Sequence, residues 1–250
     1  MTTSPNKPLL KGEGICRRFV EKVVLDEVNL SVNRGKVVSL LGQSGSGKTT
    51  LFNILAGLDV PDAGTVHLLD EDVTGEPGHV AYMLQKDLLL RHLKIIDNVS
   101  LPLRLSGKSK EEARAAADGY FKEFGLEGTQ YSYPGALSGG MAQRAAFLRT
   151  FLFSKDLVLL DEPFSRLDAI TKASMQDWYL AIKDKYALTT ILITHDIDEA
   201  LRMSDVIHVL SPKKKSIAYT YEVPEGDRKE FEVSRDYLDA KKAIQEAIMA

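Results

Sequence analysis

Four stretches carry residues whose types and spacing could do chemistry. The first is Gly42-Gln43-Ser44-Gly45-Ser46-Gly47-Lys48-Thr49, which follows the apolar run Val37-Val38-Ser39-Leu40-Leu41 and opens into Thr50-Leu51-Phe52-Asn53-Ile54-Leu55. A strand, a glycine loop and a helix in that order supply consecutive backbone N–H groups and a helix N-terminus, which together form a concave site for a polyphosphate. Lys48 is then placed to hold the β- and γ-phosphates, and the Thr49 hydroxyl to ligate Mg²⁺. The second stretch, Leu157-Val158-Leu159-Leu160-Asp161-Glu162, puts two carboxylates at the carboxyl end of a buried strand, where open α/β sheets carry their ligand sites. Beside a phosphate loop, Asp161 is expected to orient Mg²⁺ and its waters, and Glu162 to take the proton from an attacking water. Ile191-Leu192-Ile193-Thr194-His195 repeats the arrangement with a histidine at the strand end. A lone histidine is usually a surface or satisfied core residue, so His195 gains meaning only from the other stretches. In the fourth, Leu137-Ser138-Gly139-Gly140-Met141-Ala142-Gln143-Arg144, two glycines stand at an expected helix start, which makes either a second anion site or a plain capped helix.

These residues need a frame, and the chain offers one. Val28-Asn29-Leu30-Ser31-Val32 alternates as half-buried antiparallel sheet before the Asn33-Arg34-Gly35 turn. Strands are expected at 65–69 and 79–83, and then a helical region: an apolar segment over 88–105 interrupted by Pro102, a start at Ser109 with Glu112, and a helix over 113–124. A further helix runs from Ser138 through Phe151. Strands at 157–160 and 189–194 alternate with a helix over 172–185, and the tail reads as a strand or hairpin at 216–223 followed by a helix over 237–249. Strands alternating with helices imply a mainly parallel sheet covered on both faces.

Composition narrows the class. The 250 residues are long enough to bury a sizeable core, and 44% hydrophobic with 27% charged residues is ordinary for a soluble globular protein. A formal net charge of −3 gives no global attraction to nucleic acid, and the short run Lys213-Lys214-Lys215 reads as a solvated turn. No run of 18 apolar residues is present, and residues 1–11 lack the apolar centre of a signal peptide, so the chain is expected to stay in the cytosol. The single Cys16 excludes an internal disulfide and a cysteine metal cluster.

Taken with Gln85, Asp161-Glu162-Pro163, Ser165-Arg166-Leu167-Asp168 and His195, the glycine stretches closely resemble the signature of ATP-binding-cassette (ABC) ATPases over residues 12 to about 210. The resemblance implies an α/β P-loop NTPase: a RecA-like ABC ATPase core with an antiparallel β subdomain (12–85 and 152–212), an inserted helical subdomain (86–151) and a C-terminal extension (213–250). It implies ATP and Mg²⁺ as ligands. Phe19 matches the adenine-stacking aromatic, and 42–50, including Gln43, Ser44, Gly45, Ser46, Gly47 and Thr50, the phosphate cradle. Gln85 matches a glutamine that reaches Mg²⁺ and the lytic water, and His195 the switch histidine at the γ-phosphate. Ser138, Gly139 and Gly140 match the segment that binds the γ-phosphate held by a second cassette, and Asp168 the loop crossing that interface. Partners so implied are a second copy or a paralogue, an integral-membrane permease and, indirectly, a substrate-binding protein, with the chain peripheral on the cytoplasmic face and no nucleic acid. Leu89 and Leu90, just after Gln85, are expected at the permease groove.

Met141, residues 161–171 and residues 194–201 look like the nitrate, sulfonate and taurine class of bacterial importer ATPases, although Arg91-His92, Ala142 and Arg166 depart from it. The alternative is a soluble ABC ATPase acting on DNA or ribosomes. Such relatives carry two cassettes or a long coiled-coil or zinc-bearing insertion, which this single-cassette, one-cysteine chain lacks. A catalytically dead cassette is disfavoured by the presence of Lys48, Asp161, Glu162 and His195.

Overall fold

The computed structural model describes residues 7–154 and 156–250. Residues 1–6, part of the stretch read as lacking a signal peptide, lie outside the described residues.

Two sheets form the frame. Strands β1 (Pro8–Phe19), β2 (Lys22–Asn33), β4 (Ala63–Leu68) and β5 (Glu71–Asp72) make an antiparallel sheet in the order β2-β1-β4-β5. Val28, Leu30 and Val32 of β2 are buried while their neighbours are exposed, so the period of two read from the sequence lays one face on the core. The second sheet holds β3 (Val37–Leu41), β6 (Ala81–Met83), β7 (Leu157–Asp161), β8 (Thr189–Ile193), β9 (Val206–Leu210) and β10 (Ile217–Glu222), in the order β10-β9-β3-β8-β7-β6. Its pairs are parallel except β9 with β10. All five residues of β3 and of β8 are buried, which requires cover on both faces. Register places the chemistry: Leu40 and Asp161 both pair with Ile193, so the carboxyl ends of β3, β7 and β8 finish level at one edge.

Helix α1 (Lys48–Leu55) follows the glycine loop and buries Phe52 and Leu55 between the two sheets, beside Leu30, Leu40 and Ile191. Helices α2 (Ile95–Val99), α3 (Leu101–Leu105), α4 (Lys110–Asp118) and α5 (Gly139–Phe153) share one core with β7 and with α6 (Ala169–Tyr186), built on Ile95, Phe121, Phe124, Phe147, Phe164 and Tyr179. A third core seats the terminal helix α9 (Arg235–Met249), through Ala240 and Ile244, on Leu41, Ile207 and α7 (Ile197–Met203).

Several expectations are corrected. The apolar segment from residue 88 is irregular up to Lys94, and helix begins only at Ile95, because the Asn98 side chain ties Leu90, Leu93 and Lys94 into a loop. Pro102 opens α3 instead of breaking it, since its missing N–H is harmless in a first turn. The helix expected over 113–124 stops at Asp118 and continues as turns. The Ser109–Glu112 capping box is present. Helix α6 starts at 169, not 172, because Asp168 Oδ1 caps it by accepting from the Thr171 N–H at 3.1 Å. Strands β1 and β9 and the short α8 (Arg228–Glu232) are not anticipated by the sequence pattern above. Lys213 to Lys215 form the turn between β9 and β10. No helix among the described residues is long and apolar enough to cross a membrane.

Candidate functional site

The glycine loop can turn into α1 so close to β2 only because Gly47 lacks a side chain. Its φ is 103°, and a Cβ there would stand 2.9 Å from Leu25 Cδ2 and 3.1 Å from the Val24 carbonyl. Loop and strand ends enclose a cavity of about 620 Å³. Phe19, Gly42, Ser44, Gly45, Gly47, Lys48, Thr49, Thr50, Asp161, Glu162 and His195 line it, as do Lys22 and Val24, which the motifs do not flag. Phe19 is 45% exposed, its ring covered on one side by the Arg17 guanidinium at 4.8 Å. Ser46 is buried with its hydroxyl unpartnered. Gln43 keeps its backbone in the loop but turns its amide away, donating to the Ile248 carbonyl of α9 at 2.9 Å.

Lys48 Nζ donates to the carbonyls of Gly42 at 2.8 Å and Gln43 at 2.9 Å. Burial lowers its pKa, opposed by Glu162 and Asp161. Asp161 is pushed up by burial and by the neighbouring Glu162, with Lys48 pulling the other way. Tyr82 on β6 packs edge-on against Phe52 at 5.8 Å, and burial together with the Asp161 charge makes its hydroxyl hard to ionise. No short motif points to Tyr82, since its place near Asp161 comes from the pairing of β6 with β7.

Glu162 is the most constrained of these groups. Its φ of 46° is left-handed, uncommon outside glycine, and its N–H donates to the Ile193 carbonyl at 2.9 Å. The turned backbone aims the carboxylate between two partners. His195 Nδ1 lies 3.1 Å from Oε1, and Gln85 Nε2 donates to Oε2 at 2.8 Å. A carboxylate held by two flanking groups at the mouth of a phosphate cradle can orient a water and accept its proton.

The donor set fits magnesium. The Thr49 hydroxyl and the Asp161 carboxylate share the cavity, and Gln85, whose amide N–H is engaged by Glu162, keeps its carbonyl oxygen as an acceptor. Among the described residues no group of three or more His, Cys, Asp or Glu forms an all-protein cage. One hydroxyl and one carboxylate in the same cavity, Thr49 and Asp161, suit Mg²⁺, which binds through one or two side chains plus phosphates and water.

Ser138, Gly139, Gly140 and Asp168 fall outside this cavity. Ser138 caps α5, accepting from the Met141 N–H at 3.3 Å, and a Cβ on Gly140 would lie 3.3 Å from Thr171 Cγ2. The start of α5 therefore abuts the first turn of α6, next to Asp168 and apart from the cavity. Gln143 donates to the Pro163 carbonyl, linking α5 to the turn that follows Glu162.

A glycine cradle ahead of α1, with a carboxylate pair and a histidine at adjacent strand ends, defines a P-loop ATPase. A profile of the ABC transporter family matches residues 25–165. The chain is 42% identical over 227 residues to the formylaminopyrimidine import ATP-binding protein ThiZ of Halalkalibacterium halodurans, covering 91% of this chain and 89% of that protein. It is 40% identical over 197 residues to the aliphatic sulfonates import ATP-binding protein SsuB 1 of Nocardia farcinica, covering 79% and 76%. Among solved structures, cbiO1 of Clostridium perfringens, part of the ABC transporter complex cbiONQ, superposes with a TM-score of 0.79 at 22% identity over 94% of each chain. The dimeric bacterial ABC transporter cassette MJ0796 gives 0.73 at 27% identity, over 87% of this chain and all of that one. This chain belongs to the ABC transporter family, as an ATP-binding subunit that couples ATP hydrolysis to transport.

Proposed function

We propose that the chain is the ATP-hydrolysing subunit of an importer for a small polar solute of the nitrate, sulfonate and taurine kind, working beneath a separate permease on the cytoplasmic face of the membrane. The observation that carries the hydrolytic part is Glu162 held between His195 and Gln85. Backbone N–H groups of 42–49 and Lys48 bind the polyphosphate, with Phe19 against the base. Glu162 accepts the proton of the attacking water, His195 holds that water and the γ-phosphate, and Thr49, Asp161 and Gln85 hold Mg²⁺. The ion, when bound, neutralises charge developing on the phosphate oxygens. Ser138, Gly139, Gly140 and Asp168 act on the nucleotide of a second cassette, a copy or a paralogue, which explains why they stand apart from this chain's own cavity.

The import direction is supported by the names of the relatives, which leave the cargo open among a formylaminopyrimidine, aliphatic sulfonates, sulfate or thiosulfate, and spermidine or putrescine. These relatives give no support to a role on DNA or ribosomes. The division into a core (12–85 and 152–212), a helical insertion (86–151) and an extension (213–250) is part of the same reading. A groove of about 370 Å³ lies between β6 and α5, lined by Leu58, Val80, Tyr82, Leu88, Pro102 and Phe153. It suits a short permease helix laid in by its apolar face. Of the two leucines expected there, Leu89 is only 7% exposed and belongs to the core, and Leu90 does not line the groove, whereas Leu88 does. The test is uptake by vesicles holding this subunit with its co-purified permease and binding protein. Solute entry that needs ATP and stops with Glu162→Gln is expected, and uptake indifferent to that change refutes the reading.

A further inference from the structure

Behind His195 lies a cluster of charges that the hydrolytic scheme does not use. Lys172, in the first turn of α6, brings Nζ to 2.7 Å from Asp196 Oδ2 and 2.6 Å from Glu199 Oε2. Gln176, one turn further along α6 and buried, donates to the same Glu199 carboxylate at 3.3 Å. Both carboxylates sit just after His195. Asp196 caps α7 by accepting from the N–H groups of Asp198 and Glu199, and its own N–H donates to the Thr194 hydroxyl at 3.1 Å. At the other end, the Lys172 N–H donates to the Asp168 carbonyl at 2.8 Å. One residue therefore joins the loop that ends at Asp168 to the loop that carries His195.

The balance of charge makes this contact consequential. Glu199 is 3% exposed, and burial raises its pKa against the pull of Lys172. Burial also works against the lysine's charge, yet its hydrogen bonds to Asp196 and Glu199 prevail and keep it raised. Without the ammonium, two carboxylates would face each other with one of them out of water, which is the costly way to break a buried pair. Relief comes from moving the start of α7. Because Asp196 directly follows His195, a shift there reaches the imidazole through one peptide unit, and the geometry at Glu162 tolerates little displacement.

We propose that Lys172 is a positioning residue for ATP hydrolysis: by clamping Asp196 and Glu199 it holds His195 against Glu162 and fixes that geometry relative to the Asp168 loop. This rests on Glu162 and His195 being the hydrolytic pair. Lys172 touches neither the phosphate cradle nor Phe19, so its removal should act on turnover and leave nucleotide affinity alone.

The experiment measures kcat and KM for ATP separately on the full chain, with calorimetric ATP affinity and thermal melting alongside. Lys172→Met is expected to lower kcat by about tenfold or more while KM and affinity move by less than about twofold, and Lys172→Arg to recover to within about threefold of the parent. The double variant Lys172→Met with Glu199→Gln removes both buried charges, so it should melt like the parent yet stay slow, since Asp196 has still lost its clamp. Parental kcat in Lys172→Met, or full recovery in the double variant, overturns the proposal, because the lysine then only balances charge. A rise in KM that accounts for the loss does the same. If Lys172→Met does not fold, the double variant decides. His195→Ala separates the two levels: parental turnover there removes the hydrolytic pair itself, whereas loss there with parental turnover in Lys172→Met removes only the role of the lysine.

Discussion

Gln85 Nε2 donates to Glu162 Oε2 across 2.8 Å, which joins the segment leading into α2–α5 directly to the carboxylate at the end of β7. That segment is anchored from the other side as well, since Arg149 on α5 donates to the Leu88 carbonyl at 2.8 Å. A displacement of the helices is thus felt at Glu162 through few contacts. The groove proposed for the permease is lined by the same pieces of chain, including Leu88 and Arg149.

Glu162→Gln keeps the shape of the side chain and removes its basicity. Turnover should fall by about 10²–10⁴-fold, the usual worth of a positioned general base, while ATP affinity is retained. An ATP-locked dimer should then accumulate, visible by size-exclusion chromatography with and without MgATP. Parental turnover would move the role of base to His195.

Lys48→Ala should abolish nucleotide binding and leave the fold intact. Lys48 brings the one side-chain cation of the loop to a cradle otherwise made of backbone donors. Because burial already disfavours its charge, the apo protein should melt no lower than the parent. Calorimetric titration with ATP, next to a melting curve, checks both halves.

Two adjacent leucines should respond differently to the same substitution. Leu89 is buried in the core with Phe121 and Phe147, so Leu89→Asp should cost about 2–5 kcal/mol and impair folding. Leu88 is 50% exposed in the groove. Leu88→Asp should leave melting and basal ATPase near parental values while permease binding and stimulated hydrolysis fall. A pull-down with the membrane subunit, run with ATPase assays, distinguishes them.

His208 offers a pH test away from the active site. It lies on β9, with Nδ1 2.8 Å from the Thr220 hydroxyl, and burial pulls its pKa down to about 4. The unfolded chain takes up that proton near pH 6.5, so the native state's advantage is complete above pH 6.5 and is lost as pH falls toward 4. Over that window the group should cost roughly 2–3 kcal/mol of stability. His208→Gln, which does not titrate, should flatten this part of the profile in denaturant melts at pH 7 and pH 4.5. An unchanged slope would show that other groups dominate.

The sequence by itself determined the phosphate loop, the two acidic residues at a strand end and the parallel sheet beneath them. Each of these is local: Gly47 before Lys48 satisfies a turn, and a run such as Val37–Leu41 satisfies a buried strand, without reference to distant chain. The resemblance gives Asp168 an expected place facing a second cassette, whereas its work as the cap of α6 appeared only with the fold. Tertiary structure alone decided which leucine near Gln85 is core and which faces the groove, because an irregular segment has no period to read and Asn98 fixes its course from eight residues away. It alone turned Gln43 toward Ile248 and gathered Lys172, Asp196 and Glu199 behind His195. Those contacts join residues 24 to 205 positions apart, and whether a charge so placed is buried and paired depends on how helices pack across the end of a sheet, which no spacing along the chain records.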